Sequence, residues 1–107
     1  MSKILHANDL SFDAEVVNSG LPVLVEFGAQ WCGPCQRLLP LLENLAESNS
    51  DKVKVVSIDV DESPIAAGKF GVRSVPTLII FKAGQKIQTK VGLVSQGALE
   101  KFVSDSI

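Results

Sequence analysis

The stretch Pro22-Val23-Leu24-Val25-Glu26-Phe27 is β-rich and apolar but for one carboxylate. Such a run reads as a central strand covered on both faces. It leads into Trp31-Cys32-Gly33-Pro34-Cys35, and from Cys35 the pattern turns helical. Leu38, Leu41, Leu42 and Leu45 recur there at three- and four-residue spacing. A buried strand running into a leucine-rich helix through a Cys-x-x-Cys turn sets two thiols on a βα junction.

The rest of the chain repeats the alternation. Ile4-Leu5-His6 reads as a short first strand. Asp9 or Ser11 is placed to cap a helix carrying Phe12, Val16 and Val17, with Gly20 ending it. Pro34 suits a first helical position, where its missing N–H has no partner to lose, and Pro40 should kink the same helix. Val53 to Ile58 is a further strand, and Ser63-Pro64 opens a short helix closed by Gly71. Thr77 to Phe81 pairs as a hairpin with Gln85 to Val91 through Ala83-Gly84. Ser95 begins a last helix burying Ala98, Leu99, Phe102 and Val103. Strands alternating with helices, then a hairpin and a helix, give an α/β class with a mostly parallel centre.

The bulk numbers narrow the function. A chain of 107 residues suits one domain, residues 1–107, with a core that needs no disulfide staples. A net charge of −2 gives no electrostatic reason to expect nucleic acid or an anionic membrane as partner. No apolar run approaches the ~20 residues of a membrane span. Met1-Ser2-Lys3-Ile4-Leu5-His6 has no signal-peptide core, which favours a reducing compartment and a cytoplasmic location.

The chain has two cysteines, and their spacing points to redox chemistry. Only a thiolate exchanges disulfides, and a free thiol with a pKa of ~8.5 is mostly protonated at neutral pH. A helix N-terminus offers Cys32 partial positive charge and free N–H donors, which lower that pKa. Cys35, one turn on, reaches the Cys32 sulfur once a mixed disulfide has formed. Cys32 is therefore the candidate nucleophile and Cys35 the resolving thiol. The alternatives fare worse. A zinc site needs two more ligands, and the chain offers only His6 and no further cysteine. Two chains sharing a metal or cluster through four thiolates is open, but nothing in the sequence demands it. A purely structural bridge closes too short a loop to stabilise much.

These residues carry a family resemblance. Val23-Leu24-Val25-Glu26-Phe27 into Trp31-Cys32-Gly33-Pro34-Cys35 is similar to the thioredoxin family. So are Asp59-Val60-Asp61, Gly71-Val72-Arg73-Ser74-Val75-Pro76-Thr77, Phe81-Lys82-Ala83-Gly84 and Val91-Gly92. The likeness runs from about residue 4 to the C-terminus without large insertions. It implies a thioredoxin-like three-layer sandwich, a central five-stranded mixed sheet flanked by four helices, with the dithiol at the end of the second strand. It implies a protein-disulfide reductase acting on diverse disulfide-containing proteins. An NADPH-dependent flavoprotein, thioredoxin reductase, would recharge it. No cofactor would bind this chain, and we expect a monomer that engages neither nucleic acid nor membrane. Gly-Pro between the cysteines is the variant typical of the family's reductants. A binding or scaffold subunit with incidental redox chemistry is the alternative.

Glu26 is the one charge inside its strand, on the face shared by Leu24. Burial of a lone carboxylate raises its pKa, and the functional reading is proton exchange with Cys35. The family usually has an aspartate here, one methylene shorter, and often a lysine at the position of Ser57. Without that lysine, desolvation rather than pairing should set the protonation of Glu26. The resemblance implies a cis bond before Pro76, with Val75 backbone groups free to pair with an incoming peptide. It also makes Trp31, Gly33, Pro34, Ser74, Val75, Pro76, Gly92 and Leu93 the apolar substrate-binding rim. Gly28 stands where the family commonly has an aromatic residue, so looser packing near Trp31 is expected. Arg37 keeps a cation close to Cys35. His6 is expected to be an edge residue without a catalytic role.

Overall fold

The structure is a computed structural model describing residues 2–107. Five strands form one sheet: β1 (Leu5–Ala7), β2 (Val23–Gly28), β3 (Lys54–Asp59), β4 (Thr77–Lys82) and β5 (Gln85–Val91). Their spatial order is β1-β3-β2-β4-β5. β3 pairs parallel with both β1 and β2, whereas β4 pairs antiparallel with β2 and β5. β2 thus occupies the middle of a mixed sheet, and every one of its residues is buried, as its apolar run requires.

Helices cover both faces. On one side α1 (Gly33–Ser48) and α3 (Gln96–Ser106) press Leu38, Leu42, Leu45, Leu99 and Phe102 onto Leu24, Val55, Leu78 and Ile80. Each fully buried leucine contributes about 2 kcal/mol relative to exposure. On the other side a short π-type helix (Asp13–Val17) and α2 (Pro64–Lys69) bring Phe12, Val16, Ala66 and Ala67 against Val25, Phe27, Ile79 and Phe81. Strand alternation therefore splits β2 cleanly: Val23, Val25 and Phe27 face one layer, Leu24 and Glu26 the other. The result is the expected three-layer sandwich with four helices.

Most local readings survive with boundaries moved by a residue or so, where helix and strand ends fray. Ser95 caps α3, its Oγ accepting from the Ala98 N–H at 3.1 Å. Ala83 (φ 53°) and Gly84 (φ 78°) make the hairpin turn, with both central residues left-handed as a tight two-residue hairpin requires. α1 runs on through Pro40, the proline facing solvent.

The first helix corrects the expectation. Neither Asp9 nor Ser11 caps it; Phe12 holds the cap position without a side-chain bond, and the helix stops at Asn18 rather than at Gly20. Ser11 instead closes a turn with Asn8, whose Oδ1 accepts from the Leu10 and Ser11 N–H groups. Asp9 reaches across the fold to α2, accepting from the N–H groups of Ile65 (3.1 Å) and Ala66 (2.8 Å). Ser63, next to α2, makes no cap bond, because the donors it would take are already held by that carboxylate.

Candidate functional site

β2 ends at Gly28, and a short turn carries the chain through Trp31 into α1. Cys32 is the N-cap of α1 in an extended conformation, and Pro34 lies in the first turn. The N–H of Cys35 donates to Cys32 Sγ at 3.2 Å. That is one of the orphan donors of a helix N-terminus, aimed at sulfur, and it favours negative charge there. Cys32 and Cys35 are joined in a disulfide, so the structure represents the oxidised state. Both are nearly buried, at 4% and 3% exposure, and they pack with Ala29 against Val60 and Val75.

Glu26 lies beneath this pair. It is 2% exposed and pairs in the sheet with Ser57 on β3 and Leu78 on β4. The Ser57 hydroxyl donates to Glu26 Oε1 at 2.8 Å. Burial pushes the carboxyl up from 4.5 to about 7; the Ser57 bond works against that rise, and the Asp59 charge adds to it. Desolvation dominates, as the missing lysine at position 57 led us to expect. At neutral pH the group is therefore divided between acid and base forms, the condition for moving a proton in either direction.

Gly28 borders a cavity, and on one side the room left by its missing side chain is taken up by Glu26. A Cβ on Gly28 would collide with Glu26 Oε2 and stand 3.3 Å from Cys35 Sγ. The longer acid occupies the space and reaches the neighbourhood of the second cysteine.

Around the disulfide the expected rim residues fall into place unevenly. Trp31 is 71% exposed, with its Nε1 donating to Asp61 Oδ2 at 2.8 Å, so its ring is fixed at the surface. Trp31, Ser74 and Val75 line a cleft of about 150 Å³ together with Val60, Val72 and Arg73. The Val75–Pro76 peptide bond is cis. Gly92 is tied to this corner by its N–H, which donates to the Pro76 carbonyl at 2.8 Å. Gly33 and Leu93 are exposed, Pro34 is half-buried, and Pro76 is buried. Val60, Val72 and Arg73 were not among the expected rim residues, although each sits inside a stretch that carried the resemblance. His6 is exposed on β1, opposite Ser57 in the sheet register. Arg37 is exposed one turn into α1, its guanidinium near Gly33.

A βαβ core whose central strand delivers a Cys-x-x-Cys disulfide to a helix N-terminus, above a buried carboxyl, defines a dithiol–disulfide oxidoreductase. Comparison with known proteins agrees. The thioredoxin family model matches residues 3–105. The thioredoxin of Haemophilus influenzae is 44% identical over 107 residues, all of both chains. That of Pyropia yezoensis is 45% identical over 104 residues, 97% of each chain, and thioredoxin 1 of Synechococcus elongatus is 46% identical over 99 residues, 92% of each. The chain belongs to the thioredoxin family, and its chemistry is dithiol–disulfide exchange through Cys32 and Cys35.

Proposed function

We propose that the chain works as a protein-disulfide reductase in which each site residue has a separate task. In the dithiol form the Cys32 thiolate attacks one sulfur of a substrate disulfide. A bond forms between Cys32 and that sulfur, and the other substrate sulfur leaves as thiolate and takes up a proton. Cys35 then gives its proton to the Glu26 carboxylate and attacks Cys32. The Cys32–Cys35 bond forms and the second substrate sulfur departs with the electron pair. That sulfur takes up the proton Glu26 received, so the substrate gains two electrons and two protons, and the chain ends in the oxidised state with Glu26 as carboxylate again.

One observation carries this reading: the Cys35 N–H aimed at Cys32 Sγ from the first turn of α1, directly over a buried carboxyl. The cleft of Trp31, Val60, Val72, Arg73, Ser74 and Val75 is suited to an extended substrate segment, its lining mostly apolar. Gly33, Pro34, Pro76, Gly92 and Leu93 complete the contact surface. Family membership supports an NADPH-dependent thioredoxin reductase as the source of electrons, a cytoplasmic setting, and a single domain over residues 1–107.

The test is turnover of a disulfide-bonded protein with dithiothreitol as electron source. Cys32→Ser should be inactive. Cys35→Ser, reduced and then freed of dithiothreitol, should accumulate a covalent adduct with substrate, visible as the summed mass. Full activity in the double serine variant would refute the reading.

A further inference from the structure

Gly28 stands two residues after Glu26 on β2, so both positions face the α1 side of the sheet. Its backbone does not call for glycine. The left-handed glycines are Gly71, Gly84 and Gly92, whereas Gly28 lies in extended strand. The requirement lies in the space beside its Cα. A methyl group there would overlap Glu26 Oε2, lie 3.1 Å from Glu26 Cδ and stand 3.3 Å from Cys35 Sγ. The nearest atoms in its way are the far end of the flexible Glu26 side chain, and Cys35 Sγ need give only a few tenths of an ångström, so an alanine would displace the carboxyl without blocking the strand.

We propose that Gly28 is a positioning residue for the proton step, reserving beside Cys35 the volume that a glutamate carboxyl needs, so that Glu26 and Gly28 function as a matched pair. The proposal rests on Glu26 as the acceptor of the Cys35 proton. In that step the Cys35 S–H bond breaks, the proton goes to the Glu26 carboxylate, and the freed electron pair makes the bond to Cys32 as the substrate sulfur leaves. A displaced carboxyl takes the proton acceptor away from the thiol. A shorter acid draws back by one C–C bond, roughly 1.5 Å, and clears the methyl.

A cavity of about 200 Å³ adjoins the pair and gives the carboxyl somewhere to move. The titratable and polar groups lining that cavity with Glu26 are Gln30 from the turn before α1, Cys35 and Gln36 from α1, Ser57 and Asp59 from β3, His6 from β1, and Glu62 from the turn after β3. Ser57 grips only Oε1, so the Oε2 side is the one a Cβ at position 28 would push.

The experiment compares Gly28→Ala, Glu26→Asp, the Glu26→Asp/Gly28→Ala double variant and Glu26→Gln. Each is loaded at Cys32 with a peptide thiol, and the first-order release of that peptide is followed from pH 5 to 9. The rate of Cys32 attack is measured alongside as a control for folding. Gly28→Ala should slow release at neutral pH by ~10-fold or more and move its pH midpoint, with Cys32 attack unchanged. The double variant should return to the rate of Glu26→Asp alone. A Gly28→Ala protein releasing at the parent rate, or a double variant as slow as Gly28→Ala, overturns the pairing. Unchanged release in Glu26→Gln refutes instead the role of Glu26 on which the pairing rests.

Discussion

Replacing Glu26 by glutamine tests the energetics of the site most directly. The carboxyl titrates at about 7 in the fold against 4.5 for an unperturbed glutamate. Between those values the folded protein binds more protons than the unfolded chain, so stability falls as pH rises. The contribution of the neutral acid is fully present below about 4.5 and is lost by the time pH has passed through 7. A shift of this size corresponds to about 3 kcal/mol. Glutamine keeps an acceptor for the Ser57 hydroxyl and never ionises. The variant should therefore match the parent near pH 4 and exceed it by up to about 3 kcal/mol at pH 8. With an m-value of about 2 kcal/mol/M, that is a urea midpoint higher by ~1.5 M. The assay is urea unfolding of the oxidised proteins at several pH values, followed by far-UV circular dichroism. Oxidised cysteines do not titrate, and the remaining groups are common to both proteins and drop out of the difference. A difference that is constant with pH, or that grows toward acid, refutes burial as the source of the raised pKa.

Three further outcomes follow from the same geometry. Ser57→Ala removes the side-chain hydrogen bond to Glu26 Oε1 and should raise its titration point further, readable in the pH dependence of mixed-disulfide release. Asp9→Ala strips the N-terminus of α2 of its two acceptor bonds and should cost about 1 kcal/mol, a fall in melting temperature of ~4–8 °C, with turnover unaffected. Leu42→Ala, in the fully buried row of α1, should lose 2–5 kcal/mol by denaturant unfolding, roughly the range for a cavity left under a packed helix.

How far the sequence speaks depends on the range of the interaction. The middle strand was readable because burial on both faces leaves an unbroken apolar run, and the lone charge within it marked Glu26 at once. The turn at Ala83-Gly84 and the cap at Ser95 were readable because their chemistry is local. Asp9 was not, since a carboxylate near the first helix looks like its cap until the fold brings α2 to it from more than fifty residues away. The neighbours of Gly28 were hidden for a related reason. A missing side chain suggests slack, and only the fold shows that Glu26 and Cys35 border it. Val60 and the pair Val72-Arg73 come from two segments and share a wall only after the sheet and α2 have set the loops around Trp31.

The outer border of the sheet at β5 is exposed along nearly its whole length and carries Lys86 and Lys90. A border strand with open amide and carbonyl groups invites a second copy to lengthen the sheet, and lysines along it disfavour that docking by charge repulsion and by the cost of drying them. The same cations that look idle in the chemistry thus guard a crowded solution of this chain against stacking edge to edge.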